Sequence, residues 1–186
     1  IATSSLSVDV MRAALEKDAA GDADTAEEII LDWVLGPDTI NFFAVTRSKS
    51  FGDSKDRWHQ LCEALALTEE GRYWSAVPLI LIASDGFASE LLGTSPFEKN
   101  AKLSLFDSLV AHPTGLPALV ERVTKGVRKS SNATLSLPLR HGILHGRSLG
   151  YANRKVCGKA WMLMIAFVDW AADKRDEEER LARDEA

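Results

Sequence analysis

Long hydrophobic runs are missing from this sequence of 186 residues. Its most apolar stretch, Val77 to Ala83, is far shorter than the ~20 residues that a membrane-spanning helix needs. The start of the chain carries no secretory signal, so we expect a cytoplasmic protein with no membrane partner. The first residue is Ile and not Met, which is compatible with a segment of a longer protein.

Cysteine is equally scarce, since the chain has only two. Cys62 and Cys157 both fall within apolar helical patterns, which predicts buried, reduced thiols; a disulfide between them is the alternative. Glycine-rich phosphate loops, serine nucleophile elbows and dinucleotide fingerprints are also absent from the sequence. We therefore expect no bound cofactor.

An excess of basic charge is the third thing that the chain lacks. Its 22 lysines and arginines are outnumbered by 27 aspartates and glutamates, which gives a formal net charge of -5. A protein that coats nucleic acid without specificity is basic. Any polyanionic partner must therefore be met by a local basic patch.

Helical patterns dominate what the sequence does contain. With 46% hydrophobic and 26% charged residues, the chain can bury a sizeable core. The spacing of its apolar residues predicts an all-α bundle, with an N-terminal helical extension over residues 1–50 and a helical domain over residues 51–186. The early helices are predicted to begin at Thr25, at Asp53 or Ser54, and near Gly71, and the first of them ends at Gly36.

The second half continues this pattern. An amphipathic helix around Leu103 to Val110 is followed by another from about Leu116 to Arg128. The segment SSNATLSLP is predicted to be a loop. Pro138 then opens a short helix that ends at Gly146, and a long helix runs from about Ala152 to the charged C-terminal tail.

Polar chemistry is concentrated in the segment RHGILHGRSLGYANRK, residues 140–155. Arg140 and His145 are separated by a turn of about 140° on a regular helix, so one straight helix does not place them on one face. They converge if the helix ends at His145, or if two copies of the chain meet across a symmetric interface. His141 and His145 do share a face, because they are one helical turn apart.

Histidine beside arginine supplies what metal-free RNA cleavage needs. An imidazole takes the proton of a ribose 2′-OH, which then attacks the adjacent phosphorus. A guanidinium matches phosphate with a rigid fork of donors and stabilises the charge that builds on the oxygens. DNA lacks that hydroxyl and cannot react in this way. Cations downstream are candidates to hold further phosphates: Arg147, Arg154, Lys155 and Lys159.

The six residues RHGILH resemble the motif of the HEPN family (higher eukaryotes and prokaryotes nucleotide-binding), in which Arg is followed by Asn, Asp or His, then by three residues and His. The continuation HGRSLGY and the long helix after it are similar to prokaryotic members. Upstream, GRYWSAVPLILIASDGFASELLG resembles the helix that precedes the motif, with Asp85-Gly86 after an apolar run. The resemblance covers roughly Trp58 to Ala172.

The resemblance implies an all-α HEPN-like bundle that carries the motif on a short helix-loop-helix and forms a symmetric homodimer. It implies a metal-independent endoribonuclease of the toxin–antitoxin, phage-defence or RNA-processing type, with RNA as substrate and an antitoxin or larger-chain domain as a further partner. Arg140 and His145 are then the catalytic pair, supported by His141 and Asp85. Other family members are inactive and only bind RNA, nucleotide or a partner protein, and that alternative stays open.

Four further residues are candidate substrate contacts. Arg147 and Tyr151 follow the motif, and Lys125 and Arg128 precede it. For each there is a structural alternative, because a turn explains the first two and a solvated surface explains the others. The remaining alternative for the whole chain is a helical interaction domain without a site, in which Arg140 and His145 only cap a helix end.

Metal binding is the chemical rival for the two motif histidines. His141 and His145 have a familiar zinc spacing. The zincin helix also needs a glutamate directly after the first histidine, and this chain has Gly142 there. Further ligands would have to come from distant residues: His59, His112 or Asp85. We therefore expect no resident metal.

Overall fold

The computed structural model of the chain describes residues 6–37, 39, 55–98 and 116–184. These residues are mostly helical, which confirms the all-α prediction at the level of fold class. No helix in these ranges combines the length and the apolar character that crossing a bilayer requires. The helices are α1 (Val8–Ala19), α2 (Ala23–Val34), α3 (Lys55–Glu69), α4 (Tyr73–Leu92), α5 (Leu116–Val123), α6 (Arg140–Leu144) and α7 (Arg154–Asp184), and the strands are β1 (Ser131–Thr134) and β2 (Ser148–Gly150).

The core is built around α7, the longest helix. Between Val156 and Ala172 every side chain of α7 except Lys159 is buried, because α2, α4 and α5 all pack against this stretch. Burial of apolar surface is the main favourable term in folding, at about 25 cal/mol per Å². Beyond this stretch α7 becomes charged, and residues 179–184 are exposed.

Side-chain caps set the starts of two helices. The carboxylate of Asp22 accepts a hydrogen bond from the backbone N–H of Thr25 at 3.1 Å, so α2 begins two residues before the predicted start at Thr25. The amide oxygen of Asn153 accepts one from the backbone N–H of Val156 at 3.0 Å, and α7 begins directly after Asn153. Both caps satisfy donors that a helix leaves unpaired in its first turn.

The second half of the chain differs from the sequence predictions in two places. The predicted loop SSNATLSLP contains β1, which pairs in parallel with β2 and places Ser131 opposite Ser148. Helix α5 ends at Val123 and does not continue to Arg128. The helix predicted around Leu103 to Val110 lies outside the described residues, as does the boundary predicted at residue 50.

The two cysteines have different environments, and both thiols are free. Cys157 is buried in α7, and this burial raises the pKa of its thiol to about 11. Cys62 is exposed, so the prediction of two buried thiols is wrong for this residue. The buried face of α3 carries Leu61 and Ala64. A residue directly after Leu61 points about 100° away from that face.

Ion pairs attach α2 to the first turns of α7. The guanidinium of Arg154 donates to Glu28 and to Asp32. The carboxylate of Glu27 pairs with both Lys155 and Lys159. Basic residues of α7 that were candidates for phosphate contacts are therefore engaged by carboxylates of α2.

Glu27 is the centre of this attachment. Burial disfavours its charged form, but the hydrogen bonds from Lys155 and Lys159 outweigh that effect and hold the pKa of the carboxyl below its ordinary value of 4.5. The contact with Glu27 in turn raises the pKa of Lys155 above its ordinary 10.5. The stabilisation by these ion pairs is thus complete between pH 4.5 and pH 10.5. It is lost as the pH falls through the lowered pKa of Glu27.

Replacing Glu27 by Gln should weaken the attachment of α2. At neutral pH we expect Glu27→Gln to lower the Tm by about 2–4 °C, which for a chain of this size corresponds to the loss of a modest ion-pair contribution. The difference from the parent protein should stay constant above pH 4.5 and shrink below it, because the parent's carboxyl is then protonated as well. Thermal unfolding followed by circular dichroism across this pH range measures both effects.

Glu63→Gln is the matched control, since Glu63 is exposed on α3 and has no ion-pair partner among the described residues. Its Tm should follow that of the parent protein at every pH. Equal Tm values for Glu27→Gln and the parent above pH 4.5 would show that the ion pairs of Glu27 contribute nothing to thermal stability.

Candidate functional site

The motif residues are presented by α6, a helix of only five residues. Its C-terminal end is a Schellman motif, as the N–H of Gly146 donates to the carbonyl of Ile143 and the N–H of Arg147 to that of Gly142. Gly146 has φ +65°, a conformation that glycine adopts without strain. The predicted stop at Gly146 is confirmed, and the helix begins two residues after Pro138.

Gly142 occupies a position where a side chain does not fit. A Cβ atom there would lie 2.1 Å from Oγ of Ser148 and 2.9 Å from Cγ2 of Val127. Strand β2 and the segment after α5 therefore approach α6 closely at this residue. The same lack of space excludes the glutamate that a zincin helix carries at this position.

An ion pair joins α6 to α4. Nη2 of Arg140 donates to Oδ2 of Asp85, and both side chains are only about a fifth exposed, at 23% and 22%. Ser95 donates to the other carboxylate oxygen of Asp85 at 2.7 Å. The ring of Phe97 lies under the guanidinium of Arg140, with the Cζ atom 4.7 Å from the ring centroid. The predicted partners Arg140 and Asp85 are thus in direct contact.

His141 and His145 lie beside each other at the C-terminal end of α6. Their ring centroids are 4.4 Å apart, and the ring planes are inclined by 58°. His141 is half-buried and His145 is exposed. Neither imidazole has a hydrogen-bond partner in the part of the chain that the structure describes. Within that part of the chain, no hydrogen bond occupies the nitrogen atoms of either ring.

The basic candidates upstream of the motif lie close to this end of α6. Arg147 donates through Nη1 to the backbone carbonyl of Val127 at 2.9 Å, which fixes the segment between Lys125 and Arg128 against the turn. The N–H of Ser131 donates to the carbonyl of Arg147 at 2.8 Å and continues the contact. Lys125 and Arg128 are exposed on either side of Val127. Arg147 thus positions this segment.

Tyr151 makes a structural contact with α4. Its phenol donates at 2.9 Å to the backbone carbonyl of Trp74, four residues before Pro78 in α4. Pro78 has no N–H, so the carbonyl of Trp74 lacks its helical partner. Tyr151 replaces that missing donor, and its buried ring packs edge-on against Trp74 with the centroids 5.0 Å apart. Burial also raises the pKa of the phenol.

The metal-binding alternative needs further ligands beside His141 and His145. No group of three or more His, Cys, Asp and Glu side chains is placed to hold a metal ion within the described ranges. His59 is exposed on α3, and Asp85 is engaged by Arg140. His112 lies outside the described residues.

Sequence reasoning missed Ser95 and Phe97, which complete the environment of Asp85 and Arg140. Both follow the end of α4 closely, and Phe97 is fixed by an edge-on contact with Phe167 of α7 at 6.0 Å. No motif marks them. Their short distance along the chain from Asp85 was the only available signal.

Comparisons of the chain with protein-family models, with curated proteins and with solved structures found no match.

The pairing of Tyr151 with the carbonyl freed by Pro78 can be tested with a double-mutant cycle. We expect Tyr151→Phe to lower the free energy of unfolding by about 1–2 kcal/mol, because it leaves a buried carbonyl unsatisfied. In a Pro78→Ala background the cost should be smaller, since residue 78 then donates its own N–H to Trp74. Urea unfolding measures the four free energies.

Tyr73→Phe provides the control, because Tyr73 is the only other tyrosine in the chain and its hydroxyl has no partner among the described residues. It should change the free energy by no more than about 0.5 kcal/mol. An equal cost of Tyr151→Phe in both backgrounds would contradict the coupling to Pro78.

Proposed function

We propose that this chain is a metal-independent endoribonuclease of the HEPN type, acting in toxin–antitoxin, phage-defence or RNA-processing systems. One observation carries the proposal. The short helix α6 carries Arg140, anchored by Asp85, and the adjacent imidazoles of His141 and His145, which have no hydrogen-bond partners within the described ranges.

The reaction follows from the chemistry of these groups. An imidazole accepts the proton of the ribose 2′-OH, and the new bond from the 2′ oxygen to phosphorus forms as the bond to the 5′ oxygen breaks. A second imidazole donates a proton to the departing 5′ oxygen. The products are a 2′,3′-cyclic phosphate and a 5′-OH end. His145 is the general base or acid, and His141 supports it.

Arg140 stabilises the negative charge that develops on the phosphate oxygens. The guanidinium carries five N–H donors, and Asp85 engages it through Nη2 alone. Asp85, Ser95 and Phe97 therefore hold the group in one orientation. Because Nε is buried, only the Nη atoms are left to contact a phosphate. Asp85 acts as a positioning residue through Arg140.

A homodimer completes the site in this proposal. Attacking and leaving oxygens lie on opposite sides of the phosphorus in an in-line displacement. His141 and His145 of one chain are side by side, so both approach from the same side. A second copy across a two-fold axis supplies the opposite imidazole. Trp74 and Ile82, 60% and 45% exposed on the helix that carries Asp85, offer an apolar surface to that copy.

The second candidate function is a catalytically silent module of the same type that binds RNA, nucleotide or a partner protein such as an antitoxin or a larger-chain domain. Two observations favour it. Asp85 already neutralises the charge of Arg140, and carboxylates of α2 neutralise Arg154 and Lys155. Such a protein binds its ligand and releases it unchanged.

Cleavage of labelled RNA in excess EDTA tests the favoured function. The parent protein should cut the RNA and leave cyclic phosphate ends. Arg140→Ala and His145→Ala should each reduce the rate by at least about 100-fold, because one removes charge stabilisation and the other proton transfer. His59→Ala is the matched control, since His59 is exposed on α3, and it should retain the parent rate.

The assay is run at a protein concentration at which sedimentation shows a dimer. If the parent protein then leaves the RNA intact, the silent module is the better interpretation. Equal rates for the parent protein and both motif variants would instead assign the cleavage to a contaminant.

Salt dependence tests Lys125 and Arg128 as phosphate contacts. A short RNA with 2′-O-methyl groups cannot be cleaved, so its affinity can be measured at several salt concentrations. Each lost contact should reduce the slope of log K against log salt by about 0.7, as expected for single strands. Lys125→Ala and Arg128→Ala should each show this change.

Lys17→Ala is the control for this measurement, because Lys17 is an exposed lysine on a different helix, α1. Its slope should equal that of the parent protein. Unchanged slopes for both basic variants would remove Lys125 and Arg128 from the path of the RNA.

A further inference from the structure

The two imidazoles of α6 have a geometry that suits a second ligand. We propose that His141 and His145 together bind one divalent transition-metal ion, of the class of Zn²⁺, Cu²⁺ or Ni²⁺, in an exchangeable site that switches the motif off. This ion is an inhibitor and not a cofactor. The reaction proposed above needs no metal.

Spacing and exposure support such a chelate. His141 and His145 are one helical turn apart on the same face, and their ring centroids are 4.4 Å apart. His145 is exposed at the helix end, so an ion reaches it directly from solvent. No described residue forms a hydrogen bond with either ring, so a nitrogen lone pair on each is available. Neutral imidazole nitrogen is a preferred ligand of these ions.

With only two protein ligands, the bound ion can exchange with solvent. A structural zinc site has four protein ligands, whereas the described residues provide no third side chain of the metal-binding types near this pair. Water fills the remaining positions, and the second imidazole contributes through its high effective concentration once the first has bound. Copper should bind more tightly than nickel or zinc.

The charge of the motif arginine does not prevent this binding. Arg140 directly precedes His141, and a cation there would repel a dication. Its guanidinium is paired with the carboxylate of Asp85, which cancels most of that charge locally. Arg147 keeps its charge and is turned toward the carbonyl of Val127.

Metal binding blocks the proposed cleavage, and this consequence rests on the proposed function. An imidazole nitrogen that donates its lone pair to a metal can no longer accept the proton of a 2′-OH. Both motif histidines are occupied at once by a single ion. Zinc should therefore inhibit RNA cleavage, and EDTA should restore it.

Binding is measured on the whole chain without RNA. One equivalent of Cu²⁺ is added, its electron paramagnetic resonance spectrum is recorded, and its affinity is determined by competition with a chelator. The parent protein should show two nitrogen ligands. His141→Asn and His145→Asn should each show one and bind at least about tenfold more weakly, because the chelate is lost. His59→Asn, an exposed histidine on another helix, should behave as the parent.

Unchanged spectra and affinities in the two motif variants would overturn the metal site. The two proposals fail separately. Two nitrogen ligands together with no RNA cleavage would remove the ribonuclease and leave the metal site, whereas cleavage that saturating Zn²⁺ does not slow would remove the inhibition.

Discussion

The ion pair between Asp85 and Arg140 is the constraint on which the rest of the site depends. Helix α6 has only five residues, and a helix of that length does not form alone in water. Its position comes from its surroundings: strands on both sides of it along the chain, the contact of Gly142 with Ser148, and the attachment of Arg140 to α4. Because α4 packs along the buried helix α7, the ion pair attaches the motif to the hydrophobic core.

The basic residues divide into those paired with carboxylates of α2 and those that stay exposed beside α6. Arg154, Lys155 and Lys159 follow the motif along the chain, but they pair with carboxylates of α2 and hold that helix against the core. Lys125 and Arg128 precede the motif and remain exposed beside its end. Phosphate contacts by these three residues would therefore have to compete with their ion pairs to α2. The hydrogen bond from Arg147 to the carbonyl of Val127 is what brings the upstream residues close.

Local signals predicted the features that local physics controls. The stop at Gly146 and the end of α4 at Leu92 both depend on glycine in a left-handed conformation, which a sequence reveals directly. Strand β1 escaped prediction because all four of its residues are exposed, so it has no apolar alternation. The function of Tyr151 escaped as well, since it depends on a carbonyl that Pro78 leaves free in a helix more than 70 residues earlier along the chain. Contacts between residues this far apart along the chain leave no periodic pattern in the sequence.

The arrangement of the imidazoles separates two properties of the proposed site. Chelation needs His141 and His145 on one side of an ion, and a single chain satisfies this because both rings lie on one helical face. In-line cleavage needs proton transfer on opposite sides of a phosphorus, which one chain with adjacent rings does not provide. Under the two proposals, metal binding would therefore be a property of each chain, whereas cleavage would belong to the dimer. Dissociation of the proposed dimer would then abolish cleavage and leave the affinity for metal, so inhibition by metal and inactivation by dissociation would be physically distinct.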